Sequence, residues 1–353
     1  MLTFHSQLED GIEFLGDHTM RRVAILGFGS SGQRFASLVT DYDQESEILV
    51  YSLRDLRISD VRTTSDLGEI ASFQPDVAII CGAASLRALM VSAVPVGTKA
   101  ILIEKPLAAS AREAVEIMAL LRNRDTVCQI GYNLRFSTSL NEFRRLVDAN
   151  DLGSVVGVRA TTGQYLPDWR PNRDYRETVS ARKDMGGGVL RELSHEFDYI
   201  QWIFGEIQWV SAFIGKQSSL EIDVEDTAHV TCGVEPTGSA DELVVQINLD
   251  FLRRDQTRTI VAICEHGTLR WDGIARTVER WHRGATGWEI VFEESDADPT
   301  SYELQCSSLL SSVDTRSVGG ATPSEGLSVL RVVEAVEKSS LVAGRRVDVE
   351  KSA

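Results

Sequence analysis

Basic residues are scarce in this sequence. Its 36 lysines and arginines stand against 52 aspartates and glutamates, which gives a formal net charge of −16 over 353 residues. Nucleic acids and anionic membranes bind proteins through an excess of positive charge. We therefore predict neither as a partner, and we expect any bound phosphate to be held locally, by main-chain N–H groups and one or two cations.

Long apolar runs and paired cysteines are also missing. No run approaches the roughly 18 apolar residues of a membrane span, and residues 1–20 lack the pattern of a signal peptide, so we interpret them as a polar extension. The cysteines are odd in number and include no Cys-x-x-Cys pair, and no histidine has metal-ligand spacing. We expect a cytoplasmic protein without disulfides or bound metal.

Short apolar segments alternate with helical patterns in the first third of the chain. Such alternation is typical of a parallel sheet covered on both faces, and it predicts a doubly wound α/β domain over residues 21–132. The apolar segments are Val23–Leu26, Glu47–Ser52, Asp76–Cys81, Ala100–Pro106 and Thr126–Asn133.

A second pattern follows Asn133. One strong helix is predicted from about Gly188 to Phe204, and the strand-like segments beyond it are joined by short turns. We predict a second α/β domain over residues 133–322, with a large open, mostly antiparallel sheet. Thr322, Pro323 and Glu325 form a capping signal, which predicts a final helix and tail over residues 323–353.

A glycine-rich turn follows the first strand. It fits G-x-G-x-x-G, in which glycines permit a tight turn and close approach of a pyrophosphate to a helix N-terminus. After a strand and before a helix, this pattern favours dinucleotide binding over a simple turn. Its residues are Gly27, Phe28, Gly29, Ser30, Ser31 and Gly32.

The choice between NAD and NADP depends on the end of the second strand. Ser52 stands where an NAD site expects a carboxylate for the ribose, and Ser52 with Arg54 would suit a 2′-phosphate. This favours NADP over NAD. The alternative is that Asp55 holds the ribose and Arg54 is simply exposed.

Two charges end a buried strand at Glu104 and Lys105, directly before Pro106. Ligands of open parallel sheets bind beyond the carboxyl ends of the strands, so these charges are predicted to face the cofactor cleft. The alternative is a strand that ends in solvated charges.

Four segments together resemble the Gfo/Idh/MocA family, named for glucose-fructose oxidoreductase and inositol dehydrogenase. They are "GFGSSG", "EKPL", "GYNLRF" and "GGGVLRELSHEFDYIQWIFG", in the family's order over about residues 21–348. The resemblance implies a Rossmann domain, an NAD(P)-dependent oxidoreductase of sugars, sugar acids, nucleotide sugars or cyclitols, and a homodimer or homotetramer assembled through the second sheet.

The resemblance also assigns the chemistry. It implies His195 as acid/base, Lys105 as the stabiliser of the reacting oxygen, and Glu192, where relatives usually carry Asp, as a substrate or orienting carboxylate. Read from the residues alone, a histidine on a polar helix face, as His195 is with Glu192 and Tyr199, is more often solvated than catalytic. Further cofactor contacts implied by the matching positions are Cys81, Ala83, Leu86, Glu104, Lys105 and Asn133.

The resemblance implies substrate contacts from Lys105, Glu192, His195 and Arg135, and the residues themselves suggest further contacts from a loop after the seventh strand. This loop, residues 164–184, holds three aromatics and five cations, including Tyr165, Trp169 and Arg182. The cations of this loop have two interpretations that we weigh equally. They bind an anionic substrate, or they belong to a surface loop that pairs with acidic neighbours. Two other functions stay open: a dinucleotide-binding sensor without activity, and a glycosidase of the same family that retains its NAD.

Overall fold

A computed structural model of the chain describes residues 20–54, 56, 58, 61–235, 242–317 and 319–351. Residues 1–19 of the predicted extension, and Asp55 as the alternative ribose ligand, lie outside the described residues. The first sheet is entirely parallel, with strand order β3-β2-β1-β4-β5-β6. Its strands are β1 (Arg22–Leu26), β2 (Glu47–Tyr51), β3 (Arg62–Thr64), β4 (Val77–Ile80), β5 (Ala100–Ile103) and β6 (Val127–Ile130).

Both faces of this sheet are buried, because successive residues of each strand alternate between two apolar clusters. Val23 and Ile25 pack with Phe35 on one face, whereas Ala24 and Leu26 belong to the cluster on the other. This confirms the predicted doubly wound sheet. Its connecting helices are α1 (Ser30–Tyr42), α2 (Gly68–Phe73), α3 (Arg87–Ala93) and α4 (Ala111–Leu121).

The second sheet has nine strands in the order β14-β13-β12-β11-β7-β10-β9-β8-β15. All neighbours are antiparallel except β7 and β10, as the sequence predicts for a mostly antiparallel sheet. The strands are β7 (Val155–Gly163), β8 (Glu206–Gly215), β9 (Thr227–Glu235), β10 (Leu243–Asp250), β11 (Thr257–Cys264), β12 (Gly267–Asp272), β13 (Thr277–His282), β14 (Glu289–Glu293) and β15 (Val347–Asp348).

The predicted single helix over residues 188–204 is wrong in one respect. The segment forms two helices, α6 (Val189–Glu192) and α7 (His195–Phe204), since Leu193 leaves helical geometry at φ −99° and ψ 32°. Tyr199 is fully buried and His195 nearly so, so this is not a solvated face. The remaining helices are α5 (Thr138–Ala149), α8 (Ser301–Thr315) and α9 (Pro323–Leu341).

Helix α8 lies in the range assigned to the second domain but packs on the first sheet. Its buried residues Cys306, Leu309 and Leu310 join the cluster that contains Phe35. The C-terminal tail, by contrast, joins the second domain, because its strand β15 pairs with β8 of the second sheet. The two sheets are therefore joined by exchanged elements, and the cleft between them has both domains as walls.

All five cysteines lie in the described part of the chain and are free. No helix among the described residues is long and apolar enough to cross a membrane. No group of three or more His, Cys, Asp or Glu side chains in those same residues is arranged to hold a metal ion.

Candidate active site

A cavity of about 330 Å³ lies between the carboxyl ends of the first sheet and the second domain. Both domains line it, as expected for a ligand site at the edge of an open parallel sheet. From the first domain come Ser30, Ser31, Arg34, Glu104 and Lys105, and Asn133 and Leu134 directly follow it. From the rest of the chain come Thr162, Gly163, Gln164, Trp169, Arg170, Glu192, Leu193, His195, Gln256, Thr257, Arg258, Ile274 and Tyr302.

The glycine turn has the geometry that a pyrophosphate needs. Gly27 adopts φ +100°, and a Cβ there would lie 2.6 Å from the main-chain nitrogen of Gly82. A Cβ on Gly32 would collide with the Gly27 carbonyl oxygen, whereas Gly29 has open space around its Cα. Helix α1 begins without a side-chain cap, so its first N–H groups are left for a ligand. The backbone geometry of the turn and its free N–H groups therefore fit a dinucleotide.

Ser52 and Arg54 lie beside this turn. The Ser52 hydroxyl accepts a hydrogen bond from the Arg54 main-chain nitrogen at 3.1 Å, and an Arg54 Nη2 donates to the Phe28 carbonyl at 2.5 Å. The guanidinium therefore reaches from the end of β2 to the glycine turn, a position from which it can meet the ribose side of a bound nucleotide.

Glu104 is buried at the end of β5. Burial raises its pKa, while Arg87 and Lys105 lower it. Arg87 lies beneath the site, where it donates to the carbonyls of Gly82 and Lys105 at 3.2 Å each. Burial lowers the pKa of Arg87 to about 10. Arg87 thus supports the loop behind the cavity and does not line it.

Lys105 extends from the first domain to the second. Its Nζ donates to the main-chain carbonyl of Glu192 at 2.9 Å and lies 3.9 Å from the Glu192 carboxylate. The Lys105–Pro106 peptide bond is cis. A cation and a carboxylate from different domains therefore meet at one point of the cavity wall, where a substrate hydroxyl can contact both.

His195 is the first residue of α7 and lines the same cavity, with only 8% of its surface exposed. Its ring meets Tyr132 edge to face at 5.5 Å, and Nδ1 has no hydrogen-bond partner among the described residues. Burial, with Lys105 and Arg258 nearby, lowers the pKa of His195 well below 6.5. The imidazole is therefore neutral at physiological pH, the form that can accept a proton.

Of the other predicted substrate residues, one lines the cavity and the rest do not. Trp169 lines the cavity, and its indole N–H donates to the Gln164 carbonyl at 3.1 Å. Tyr165 lies instead under the Arg254 guanidinium, 3.4 Å from the ring centre, and Arg182 is paired with Asp184 at 2.6 Å. None of Tyr165, Arg182 and Arg135 lines the cavity.

Arg135 is held in a buried ion pair. It donates to both carboxylate oxygens of Asp198, the shorter distance being 2.7 Å, and to Glu325 at 2.7 Å. This arrangement ties α7 to α9 and leaves Arg135 no free face toward a ligand.

Some of the predicted cofactor residues line the cavity and others do not. Ser30, Ser31, Glu104, Lys105 and Asn133 line the cavity, and the Asn133 amide donates to the Ser301 hydroxyl at 2.7 Å. Cys81, Ala83 and Leu86 follow β4, and the glycine turn, Ser52 and Arg54 lie beside β1 and β2. Burial raises the pKa of the Cys81 thiol well above its usual value.

Several cavity residues were not predicted from the sequence, among them Arg34, Arg258 and Tyr302. Arg34 stacks over Tyr302 at 4.0 Å, and Arg258 comes from β11. Tyr302 lies in the first turn of α8, whose capping box of Thr300 and Glu303 is visible in the sequence as Thr-x-x-Glu. Arg258 and Arg34 carry no comparable local signal.

Two protein-family models match the chain. One, described as "Oxidoreductase family, NAD-binding Rossmann fold", matches residues 21–132, and the other, "GFO/IDH/MocA C-terminal domain", matches residues 140–270. Together they cover more than half of the chain and agree with the resemblance of its motifs.

Similar proteins include oxidoreductases of known and unknown substrate. An uncharacterised oxidoreductase YrbE of Bacillus subtilis is 25% identical over 60% of this chain and 63% of its own length. The D-xylose dehydrogenase of Paenarthrobacter nicotinovorans is 24% identical over 58% of this chain and 55% of its own. The chain thus spans less than two thirds of these relatives. A levoglucosan dehydrogenase solved with NADH has the same fold, with a TM-score of 0.78 at 16% identity over 95% of this chain and all of its own.

Proposed function

The chain belongs to the GFO/IDH/MocA family of oxidoreductases, and we propose that it transfers a hydride between NAD(P) and a hydroxyl or carbonyl of a sugar-like substrate. The substrate class comprises sugars, sugar acids, nucleotide sugars and cyclitols. The observation that carries the proposal is that Lys105 and His195, from different domains, line one cavity beside the glycine turn.

The residues of the cavity have separate roles in this proposal. The glycine turn, Ser30 and Ser31 hold the cofactor, which supplies a hydride acceptor when bound. Lys105 donates a hydrogen bond to the reacting substrate oxygen and stabilises the negative charge that develops on it. Neutral His195 accepts the proton of the substrate hydroxyl, and Glu192 accepts a hydrogen bond from a neighbouring hydroxyl.

The test is a panel of sugars, sugar acids, nucleotide sugars and cyclitols, assayed with each cofactor by the near-ultraviolet absorbance of reduced nicotinamide. We expect substrate-dependent reduction that His195→Gln abolishes. A glycosidase that retains NAD would instead release cleaved product without a net change in absorbance. A sensor would bind the dinucleotide and turn over nothing, and either result would refute the dehydrogenase.

We propose that the cofactor is NADP in preference to NAD. Support comes from Ser52 in place of a ribose-binding carboxylate and from Arg54 reaching Phe28 of the glycine turn. Arg54→Gln should reduce kcat/KM for NADP⁺ by about tenfold or more and change the value for NAD⁺ little, since a guanidinium–phosphate contact is a charge-assisted hydrogen bond. The control is Arg62→Gln on β3, whose side chain pairs with Glu69 at 2.9 Å. A wild-type enzyme that strongly prefers NAD⁺ would refute this choice.

We also propose that the second sheet forms a homodimer or homotetramer interface. Val156, Phe213 and Val244 are exposed on its strands β7, β8 and β10. Replacing Phe213 and Val244 with Lys should yield a monomer, as measured by light scattering after size exclusion. A wild-type chain that is already monomeric would refute the proposal.

A further inference from the structure

Arg258 is a cation that the catalytic roles above do not use. It lies on β11 and lines the cavity, with 22% of its side chain exposed. Its Nε donates to the carboxylate of Glu196 at 2.9 Å. Glu196 directly follows His195 on α7, so the ion pair links the second sheet to the helix that carries the proposed base.

Burial of this ion pair carries a desolvation cost. Glu196 is fully buried, and the one oxygen that bonds Arg258 also accepts the Thr162 hydroxyl at 2.8 Å. Its second oxygen has no hydrogen-bond partner among the described residues. Buried ion pairs contribute little net stability, because the cost of desolvation offsets the attraction between the charges. A functional use of the cation accounts for the pair better than stability does.

The two Nη groups of Arg258 are available to a ligand. Only Nε is engaged, and neither Nη nitrogen donates to any residue that the structure describes. A guanidinium presents its two Nη groups as parallel donors in one plane, a spacing that matches the two oxygens of a carboxylate. The fixed Nε–Glu196 contact holds these groups at the cavity wall, so little side-chain freedom is lost when a ligand binds.

The cavity as a whole is more positive than the chain. Four basic side chains line it, Arg34, Lys105, Arg170 and Arg258, against the two carboxylates of Glu104 and Glu192, although the net charge of the protein is −16. Arg34 belongs to α1 with Ser30 and Ser31 and therefore lies on the cofactor side. Arg258 and Thr257 are on β11 of the second sheet, and Gln256 directly precedes it, so this part of the wall comes from the domain that we expect to contact the substrate. A wall of this kind attracts an anion.

We propose that Arg258, positioned by Glu196, binds a carboxylate of the substrate, so that the enzyme acts on a sugar acid in preference to the neutral sugar of the same configuration. This inference rests on the proposed hydride transfer. It places the carboxylate on strand β11 and not at Arg176 and Arg182 of the 164–184 loop, which pair with Asp174 and Asp184, although Arg170 of that loop also lines the cavity.

The test compares kcat/KM for matched pairs of substrates, a uronic or aldonic acid and its neutral counterpart. Wild type should prefer the acid by roughly 10- to 100-fold, the range for a hydrogen bond to a charged group. Arg258→Gln should bring that ratio close to one, and Arg258→Lys should leave an intermediate ratio because the paired donors are lost. Arg253→Gln is the matched control on the preceding turn, since its side chain pairs outside the cavity with Asp255.

Removing Arg258 alone leaves Glu196 as an unpaired buried charge and can unfold the protein. The double variant Glu196→Gln/Arg258→Gln removes both charges and should lose the same preference while staying folded. A wild-type enzyme that prefers the neutral sugar, or a preference for the acid that survives in the double variant, would overturn the assignment. If the enzyme preferred a sugar phosphate to the sugar acid, the assignment of a carboxylate as the group bound by Arg258 would be wrong.

A binding measurement separates this inference from the proposed function. Calorimetric titration of the cofactor-loaded protein with the acid and the neutral sugar reports the anion site without turnover. Tighter binding of the acid, lost in the double variant, supports the site even if no substrate is oxidised. Equal binding of acid and neutral sugar by wild type overturns it, whatever the assay of hydride transfer gives.

Discussion

The ammonium nitrogen of Lys105 lies 2.9 Å from the main-chain carbonyl oxygen of Glu192, so the strand end of one domain contacts the helix end of the other. The Glu192 carboxylate is 3.9 Å from the same nitrogen. This contact fixes the lysine while leaving ammonium hydrogens free to donate elsewhere, since an ammonium has three donors. The side chain is therefore pre-organised for an oxygen in the cavity.

Replacing Lys105 with Met should lower kcat by about 10²- to 10³-fold, the usual cost of removing one donor to a developing oxyanion. Cofactor affinity should change little, because the pyrophosphate is held at the glycine turn. Steady-state kinetics and a cofactor titration measure the two effects separately. Lys99→Met is the matched control: Lys99 precedes the other end of β5 and pairs with Asp76 at 3.4 Å. Unchanged turnover in Lys105→Met would remove the lysine from the mechanism.

The low pKa of His195 predicts the pH dependence of the proposed hydride transfer. Burial, Lys105 and Arg258 all disfavour the imidazolium, so the base stays neutral until the pH is well below 6.5. The acid limb of the kcat/KM profile should therefore lie below the ordinary histidine value. Arg258→Gln removes one of the two cations, which raises the pKa of His195 and shifts the limb to higher pH. A wild-type limb at or above the ordinary value would contradict this picture.

How far the sequence predicts this structure depends on whether a feature is local. The parallel sheet, the glycine turn and the charges at the end of β5 follow from periodicity and from the rule that strand ends face the cleft. The capping signal of Thr300 and Glu303 is equally local and is sufficient to predict the start of α8. The break at Leu193 carries no such signal, so the sequence predicts one helix where there are two.

The parts that could not be predicted are contacts between distant segments. Arg258 lies in a strand of ordinary composition, and its partner Glu196 is 62 residues earlier in the sequence. The loop of residues 164–184 stands out by its cations, yet Asp174 and Asp184 pair with Arg176 and Arg182 two residues away. Because these carboxylates pair with two of the loop's arginines, the number of cations in the loop is by itself weak evidence for an anion site.

Arg135 should be needed to keep the buried Asp198 carboxylate paired in the folded protein, and not for substrate binding. Both side chains are buried, at 6% and 1% exposure. Burial raises the pKa of Asp198 to about 6 although Arg135 opposes the shift. Arg135→Met should lower the free energy of unfolding by about 3–5 kcal/mol, because a buried carboxylate is left without its partner.

Urea denaturation measures the loss, and Arg145→Ala is the control. Arg145 pairs with Glu142 on the exposed surface of α5, where such a contact contributes only about 0.2–0.5 kcal/mol. A folded Arg135→Met protein with normal stability and a raised KM would instead return Arg135 to the substrate site, as the family resemblance implies.

The glycine turn offers a way to separate folding from cofactor binding. A methyl group on Gly32 would collide with the Gly27 carbonyl oxygen, so Gly32→Ala should destabilise the packing of α1 on β1. Gly29 has φ −80° and open space around its Cα, so Gly29→Ala should fold normally. Its methyl group instead occupies the space through which a pyrophosphate approaches the main chain.

We therefore expect Gly29→Ala to keep the wild-type melting temperature and to bind NADP⁺ at least about tenfold more weakly, a loss of ~1.4 kcal/mol. Thermal unfolding and fluorescence titration give the two values. Gly97→Ala is the matched control, since a methyl group on Gly97 would also have no neighbour within 4 Å, but this glycine lies in the turn before β5, at the amino end of the sheet. If Gly29→Ala bound the cofactor as wild type does, the pyrophosphate could not lie against Gly29, because a methyl group and a phosphate cannot share that space.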